Sequence, residues 1–192
     1  MAISGSSLTS GLGQSLLERA VDTLAREYAV TPKAAAGWFL RRYADLFASS
    51  AVVLLAKYGI GIEGHLQNTL LVLGPHCEPK CVLLRDFGGA RIHRPRLARA
   101  GYRLATHPGS LTLREEIEPV RRKAYYSCLQ ANMAEIVLRL TRTYGLAVAT
   151  CWETVWAEIR RGLSYVQLDG DPGVCEAAEQ DRTVLSASKA HQ

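Results

Sequence analysis

The chain has 192 residues, 48% of them hydrophobic and 21% charged, with a formal net charge of +5, which fits one globular domain with a substantial core. No apolar run reaches the roughly 18 residues a transmembrane helix needs; the longest candidate, Ala51 to Leu55, is closed by Lys57. The opening Met-Ala-Ile-Ser-Gly-Ser-Ser lacks a basic stretch followed by an apolar one, so the reading is a cytoplasmic protein without a signal peptide.

With three Phe, three Trp and eight Tyr the core must be mostly aliphatic, and the Ala, Leu and Arg content favours helices. From Gly11 to Val30, Leu12, Leu16, Leu17, Val21, Leu24 and Tyr28 recur at helical spacing and predict an N-terminal helix in residues 1–30. Thr31-Pro32 supplies an N-cap and a first-turn proline, and the spacing continues from Trp38 to Tyr58, with a bend near Ser49-Ser50, until Gly59. The period then shifts toward two in Gln67 to Leu73 and Cys81 to Phe87, which predict a β-hairpin. Gly88 to about Thr112, with its glycines, Pro95 and Pro108, reads as a long irregular segment with one helical turn. Helical spacing returns from Ile117 to Tyr144, with Gly145 as the stop. Thr150-Cys151-Trp152-Glu153 reads as a capping box for a last helix to about Leu163. Residues 164–192 are small and polar and are expected to carry little order. The expected architecture is therefore α+β, mainly helical with a small antiparallel sheet, and residues 31–163 form its main domain.

The five cysteines, Cys77, Cys81, Cys128, Cys151 and Cys175, are odd in number and scattered, so free thiols are expected. His76 with Cys77 and Cys81 has no second pair of ligands, which makes structural zinc a minor reading. Residues 162–192 carry five acids and two bases, leaving 21 bases against 13 acids on the rest. Six arginines (Arg85, Arg91, Arg94, Arg96, Arg99, Arg103) crowd into nineteen residues, a cluster able to meet phosphates or polycarboxylates as readily as solvent.

Polar residues bracket the two apolar strands. Glu63, His65, Gln67 and Asn68 fall at the start of the first, and Arg85 and Asp86 precede Gly88-Gly89 at the end of the second. A hairpin makes those ends neighbours. An Asn carbonyl and an Asp carboxylate so placed can share a divalent cation that bridges nucleotide phosphates, the logic of kinase-type sites, and such oxygens suit magnesium. Singly, each residue could simply satisfy turn backbone or pair with an arginine; the grouping at matching strand ends is what points to chemistry.

Glu63-Gly-His65-Leu-Gln67-Asn68-Thr69 followed by Leu84-Arg85-Asp86-Phe87-Gly88-Gly89 closely resembles the nucleotide-site signature of the NRPS-independent siderophore synthetases, the aerobactin-synthase-like family. There it usually reads Glu-Ala-His-Gly-Gln-Asn and Arg-Asp-Phe-Gly-Gly, so Gly64 and Leu66 depart from the pattern. The resemblance covers about Pro32 to Leu163 and corresponds to the C-terminal palm region of much longer chains. It implies a ligase of siderophore biosynthesis and iron acquisition that uses ATP and Mg2+ to activate a carboxylate, citrate or a citryl derivative, as an acyl-adenylate and condense it with an amine or hydroxyl. Matched onto the motif, Asn68 and Asp86 are metal-site residues with Glu63 beside them, and Glu63, His65, Gln67, Asn68 and Asp86 line the ATP site. His65 and Arg85 are the catalytic candidates, with Arg121-Arg122-Lys123 as weaker ones. The implied partners are a complementary N-terminal polypeptide and a second copy of the chain, with no membrane and no nucleic acid. Two other readings compete: a small-molecule phosphotransferase, which lacks a glycine-rich phosphate loop with a following lysine, and a basic helical nucleic-acid-binding module, which leaves the Glu63-to-Asp86 arrangement unexplained.

Overall fold

Ser15 opens the first helix, α1 (Leu16–Glu27), through a complete capping box: its hydroxyl accepts from the Glu18 amide, and the Glu18 carboxylate accepts from the Ser15 amide. Leu17, Val21 and Leu24 form its buried stripe. The computed structural model describes residues 2–4, 14–168 and 171–189, so the part of the predicted helix at 11–13 lies outside the described residues. Thr31 caps α2 (Pro32–Ala44), as the sequence predicts. The bend near Ser49-Ser50 is a π-helical turn over Asp45–Ser49, after which α3 (Ser50–Tyr58) runs to Gly59. Gly59 sits at φ 69°, the left-handed conformation that ends the helix.

Two three-stranded sheets follow. The hairpin is β3 (Thr69–Leu73) against β4 (Pro79–Leu84), with Thr69 opposite Leu84 and Leu71 opposite Val82. The strand β1 (Ala2–Ser4), which the sequence did not disclose, pairs antiparallel with the other side of β3. The second sheet joins β2 (Ile60–Gly61) antiparallel to β5 (Arg91–His93), and β5 parallel to β6 (Leu113–Arg114). The segment from Gly88 to Thr112 is therefore less irregular than its composition implies: β5 runs directly into α4 (Arg94–Arg99). Two- and three-residue strands are too short for a period-two signal, which is why the sequence concealed this sheet.

The Ile117-to-Tyr144 prediction corresponds to α5 (Glu118–Ala124), a π-helical stretch over Tyr125–Met133, and α6 (Ala134–Tyr144), closed by Gly145 at φ 65°. Next comes α7 (Val148–Gln167), whose N-cap is Ala147 with no side-chain cap; Thr150 and Glu153 lie inside the helix and form no capping box. The expectation of a poorly ordered tail is overturned, because Pro172–Lys189 is a helix, α8. Asp171 caps it by accepting from the Val174 amide at 2.9 Å, and Val174, Ala177, Ala178 and Asp181 supply a buried stripe. Alanines and one acid carry that stripe, so it has little hydrophobic contrast in the sequence.

One core runs from Leu17 to Ala178 and draws on the N-terminal helix, the main domain and the C-terminal helices alike. Its largest fully buried side chains include Phe39, Tyr43 and Phe47, whose rings stack along α2 and the π-helical turn at centroid separations of 6.5 and 5.7 Å. Arg42 ties the hairpin to this layer by donating to the Pro79 carbonyl at 3.2 Å. Inside the aliphatic core lies a closed polar network. The Tyr43 hydroxyl donates to Asn132 Oδ1 at 2.8 Å, and Asn132 Nδ2 donates to the Gly64 carbonyl at 2.8 Å and to Thr69 Oγ1 at 3.1 Å. Thr69 in turn donates to the His65 carbonyl at 3.0 Å. Among the described residues no helix is long and apolar enough to cross a membrane.

Removing Asn132 strands the buried Tyr43 hydroxyl and leaves the buried Gly64 carbonyl only a longer bond from Thr69 Oγ1, at 3.3 Å. Asn132→Ala should lower the unfolding free energy by about 2–4 kcal/mol, since each buried polar group left without a partner costs on the order of 1–3 kcal/mol. Urea unfolding followed by circular dichroism measures this; a midpoint equal to that of the parent protein would contradict the network's role.

Candidate active site

The loop from Ile62 to Asn68 leaves the second sheet and enters the first, and the helix formed by α5 and the π-helical stretch holds it along its length. Ser127 Oγ donates to the Ile62 carbonyl at 2.9 Å, Lys123 pairs with the Glu63 carboxylate, and Asn132 takes the Gly64 carbonyl. The Asn68 side chain, nearly buried, donates to the Glu63 carbonyl at 3.1 Å and closes the loop on itself. Gly64 has no room for a side chain, because a Cβ there would stand 2.9 Å from both Cys128 Sγ and Phe47 Cζ. This explains why glycine serves at a position where the related motif carries alanine.

At the same end of the hairpin, just past β4, the Arg85 amide donates to the Asn68 carbonyl at 3.0 Å, and Arg85 Nε donates to the Gln67 carbonyl at 2.9 Å. The guanidinium thus stitches the two motif halves together, and Asp86 follows one residue beyond that rung. Asp86 is exposed and left-handed at φ 59°, a conformation that costs a non-glycine residue energy and concentrates at functional sites. Its Oδ1 accepts from the Gly88 amide at 3.3 Å. Gly89 lies against the Glu63 carboxylate so closely that any Cβ would overlap it, so the second glycine of the motif makes room for the first motif's glutamate. Gln67 is exposed and His65 half-buried at the same end.

Beside this junction opens a cleft of about 460 Å³ lined by Arg91, Pro119, Arg122, Lys123 and Tyr126. Arg91 Nη1 donates to the carbonyls of Gly89 and Ala90 at 3.1 and 3.0 Å, which orders the glycine turn at the cleft's edge. Three cationic side chains at one mouth, next to an acidic loop, form a surface for a polyanion. The sequence placed Arg122 and Lys123 among weaker candidates and left Arg91 in an undifferentiated arginine cluster. The available clue was its position two residues after the Gly-Gly pair; what identifies it is the second sheet, which turns β5 toward α5. Tyr126, largely exposed here, was seen only as part of a helix.

The remaining arginines divide by environment. Arg96 is buried, and Arg94 pairs with Glu115 at 2.6 Å. His76 pairs with Glu27 rather than with the cysteines, and among the described residues no three His, Cys, Asp or Glu side chains gather as a metal-binding group. Glu63 already has its charge met by Lys123, so Asn68 and Asp86 are the motif oxygens that suit a hard cation. A magnesium ion carried by phosphates needs only one or two protein ligands.

A family model described as "Ferric iron reductase FhuF-like transporter" matches residues 38–183. The chain is 33% identical over 99 residues, 52% of its length, to staphyloferrin A synthase of Staphylococcus aureus, and 29% identical over 105 residues, 54% of its length, to D-ornithine–citrate ligase of the same organism. These alignments cover 17% and 16% of those relatives, and the chain spans 16–21% of the length of the curated relatives it matches. Its fold superposes with a TM-score of 0.71 on ATP-bound aerobactin synthetase from a hypervirulent pathotype of Klebsiella pneumoniae, at 21% identity, covering 85% of this chain and 29% of that one.

The floor of the site makes a pH-dependent prediction. Burial pushes the Cys128 thiol up to about 11, opposed by its hydrogen bond to Ser127. The folded state therefore holds this proton more tightly than the unfolded chain, whose thiol titrates near 9. That contribution to stability is complete below pH 9 and is lost as pH rises from about 9 to 11. At pH 8, Cys128 should resist a disulfide-exchange reagent in the native protein and react on unfolding. Peptide mapping that finds native Cys128 labelled as fast as a free thiol would refute this.

Proposed function

Because the chain belongs to the FhuF-like family and to the NRPS-independent siderophore synthetases, we propose that it forms the nucleotide-binding palm of an ATP-dependent acid–amine ligase in siderophore biosynthesis. The observation that carries this reading is the junction of Glu63–Asn68 with Arg85–Gly89 at one end of the hairpin, beside the cationic cleft of Arg91, Arg122 and Lys123. In the reaction, a carboxylate oxygen of the substrate attacks the α-phosphorus of ATP and pyrophosphate leaves; an amine or hydroxyl then attacks the acyl carbon and AMP leaves. The name of one relative, D-ornithine–citrate ligase, points to citrate as the carboxylate.

The residues present fit this chemistry. Arg91, Arg122 and Lys123 meet the triphosphate and stabilise the charge that builds as pyrophosphate departs. Asn68 and Asp86 would hold a magnesium ion, which would supply further neutralisation of phosphate charge. His65 and Gln67 contact the nucleotide. The ion pair with Glu63 fixes Lys123 at the cleft, so the lysine reaches the phosphates without searching rotamers. Arg85 holds Gln67 and Asn68 in place through the rung it makes with the Gln67 carbonyl. A complementary N-terminal polypeptide would complete the carboxylate pocket, and the assembly would work in the cytoplasm, where ATP is supplied.

The test is calorimetric titration with ATP in the presence and absence of magnesium. Asp86→Ala should weaken magnesium-dependent binding by at least about tenfold, equivalent to about 1.4 kcal/mol, with the thermal melt unchanged. Equal affinities for the variant and the parent protein would remove Asp86 from the site. The chain alone should show little citrate-dependent exchange of pyrophosphate into ATP until the complementary polypeptide is added, and robust exchange by the isolated chain would refute that dependence.

A further inference from the structure

Asp181 lies in the middle of α8, 1% exposed, and no feature of the motif points to it. Its two oxygens are fully engaged by two arginines from different elements. Arg96 Nη1 and Nη2 donate to Oδ2 and Oδ1 at 2.7 and 3.3 Å, and Arg121 Nε donates to Oδ1 at 2.6 Å. Both guanidinium groups are themselves more than nine-tenths buried. Arg96 Nη1 also donates to the Leu55 carbonyl at 3.1 Å, near the end of α3 that leads into the motif loop. One carboxylate thus joins α8, α4, α3 and α5 in a region that holds two buried positive charges.

The geometry points to Asp181 as a positioning residue for the phosphate cleft, acting through Arg121 on the neighbouring Arg122 and Lys123. Arg121 and Lys123 lie two residues apart on α5, roughly 200° around the helix, so they face different ways. Fixing Arg121 inward against α8 fixes the azimuth of α5, and with it the direction from which Lys123 reaches Glu63 and Arg122 lines the cleft. Burial disfavours the charge on Arg121, but its hydrogen bond and ion pair with Asp181 outweigh that penalty and raise its pKa above the ordinary value. A two-point hold, Asp181 on one face and Glu63 on the other, leaves α5 one rotational setting. On this view the C-terminal helix, which contributes none of the residues lining the cleft, sets its shape.

This inference rests on the nucleotide-site reading for its consequence, but its geometry is tested separately. Asp181→Ala would leave two buried cations without a counter-charge and is liable to unfold the protein. Arg121→Gln is the working variant, since Arg96 still pairs with Asp181. The first readout is the labelling rate of Lys123 by an amine-reactive reagent, followed by peptide mass spectrometry, with Lys33 and Lys80 as internal references. Freed from its fixed pairing with Glu63, Lys123 should label about fivefold faster in Arg121→Gln while both references stay constant. The second is a double-mutant cycle in Mg·ATP affinity. Arg121→Gln should weaken binding about tenfold in the parent protein and have little further effect once Lys123→Met is present. Unchanged Lys123 labelling, or equal weakening in both backgrounds, overturns the positioning role. If the parent protein binds no Mg·ATP, the nucleotide reading fails and the labelling result alone decides whether Asp181 and Arg121 set the lysine.

Discussion

The site depends on a polar network buried where the chain has least water to offer it. Tyr43, Thr69 and Asn132 are all completely enclosed, and between them they satisfy the Gly64 carbonyl and their own hydroxyl and amide groups. Buried polar groups cost several kcal/mol unless paired, so the network has one good arrangement and many poor ones. That arrangement forces the loop between the two sheets to pass directly over the π-helical stretch. The π geometry matters because it widens the helix and brings Ser127, Cys128 and Asn132 to bear on the same few residues of loop.

From this fixed point the chemistry-bearing groups are distributed by short covalent steps. Glu63 is one residue from Gly64 and Asn68 is one from Thr69, so neither can drift while the network stands. The hairpin register then sets Arg85 opposite Asn68, and the strained backbone at Asp86 and the bare α-carbon of Gly89 turn the chain under the Glu63 carboxylate. Charge is arranged in the same economical way: Lys123 neutralises Glu63 at the cleft, and Asp181 pairs with two arginines behind it. The cleft itself keeps an excess of positive charge on Arg91 and Arg122, as a polyanion-binding surface requires.

The chain spans 16–21% of the length of the curated relatives it matches. The matched relatives are several times longer, and what the described residues contain is a cationic cleft with its own core and support. The largest exposed apolar side chains near the site, Phe87 and Tyr126, flank the motif turn and the cleft. Their exposure leaves apolar surface available to an adenine ring, a substrate or a neighbouring polypeptide.

How much of this could be read from the sequence varied with the length over which each signal extends. Long amphipathic helices and the hairpin were legible because their periodicity repeats several times, and Thr31, Gly59 and Gly145 mark ends through local backbone chemistry. The motif residues were legible as a group because a hairpin brings its ends together whatever surrounds it. The second sheet was not, since two- and three-residue strands exist only by pairing with partners some twenty to thirty residues apart. Nor was the fate of the arginines: Arg91, Arg96 and Arg121 are chemically alike in the chain, and only burial separates a cleft cation from a structural one. The same reason hid α8. A stripe of alanine, valine and a single aspartate becomes a helix when Arg96 and Arg121 are waiting for its charge, and that meeting is a property of the tertiary structure, across 85 and 60 residues of sequence.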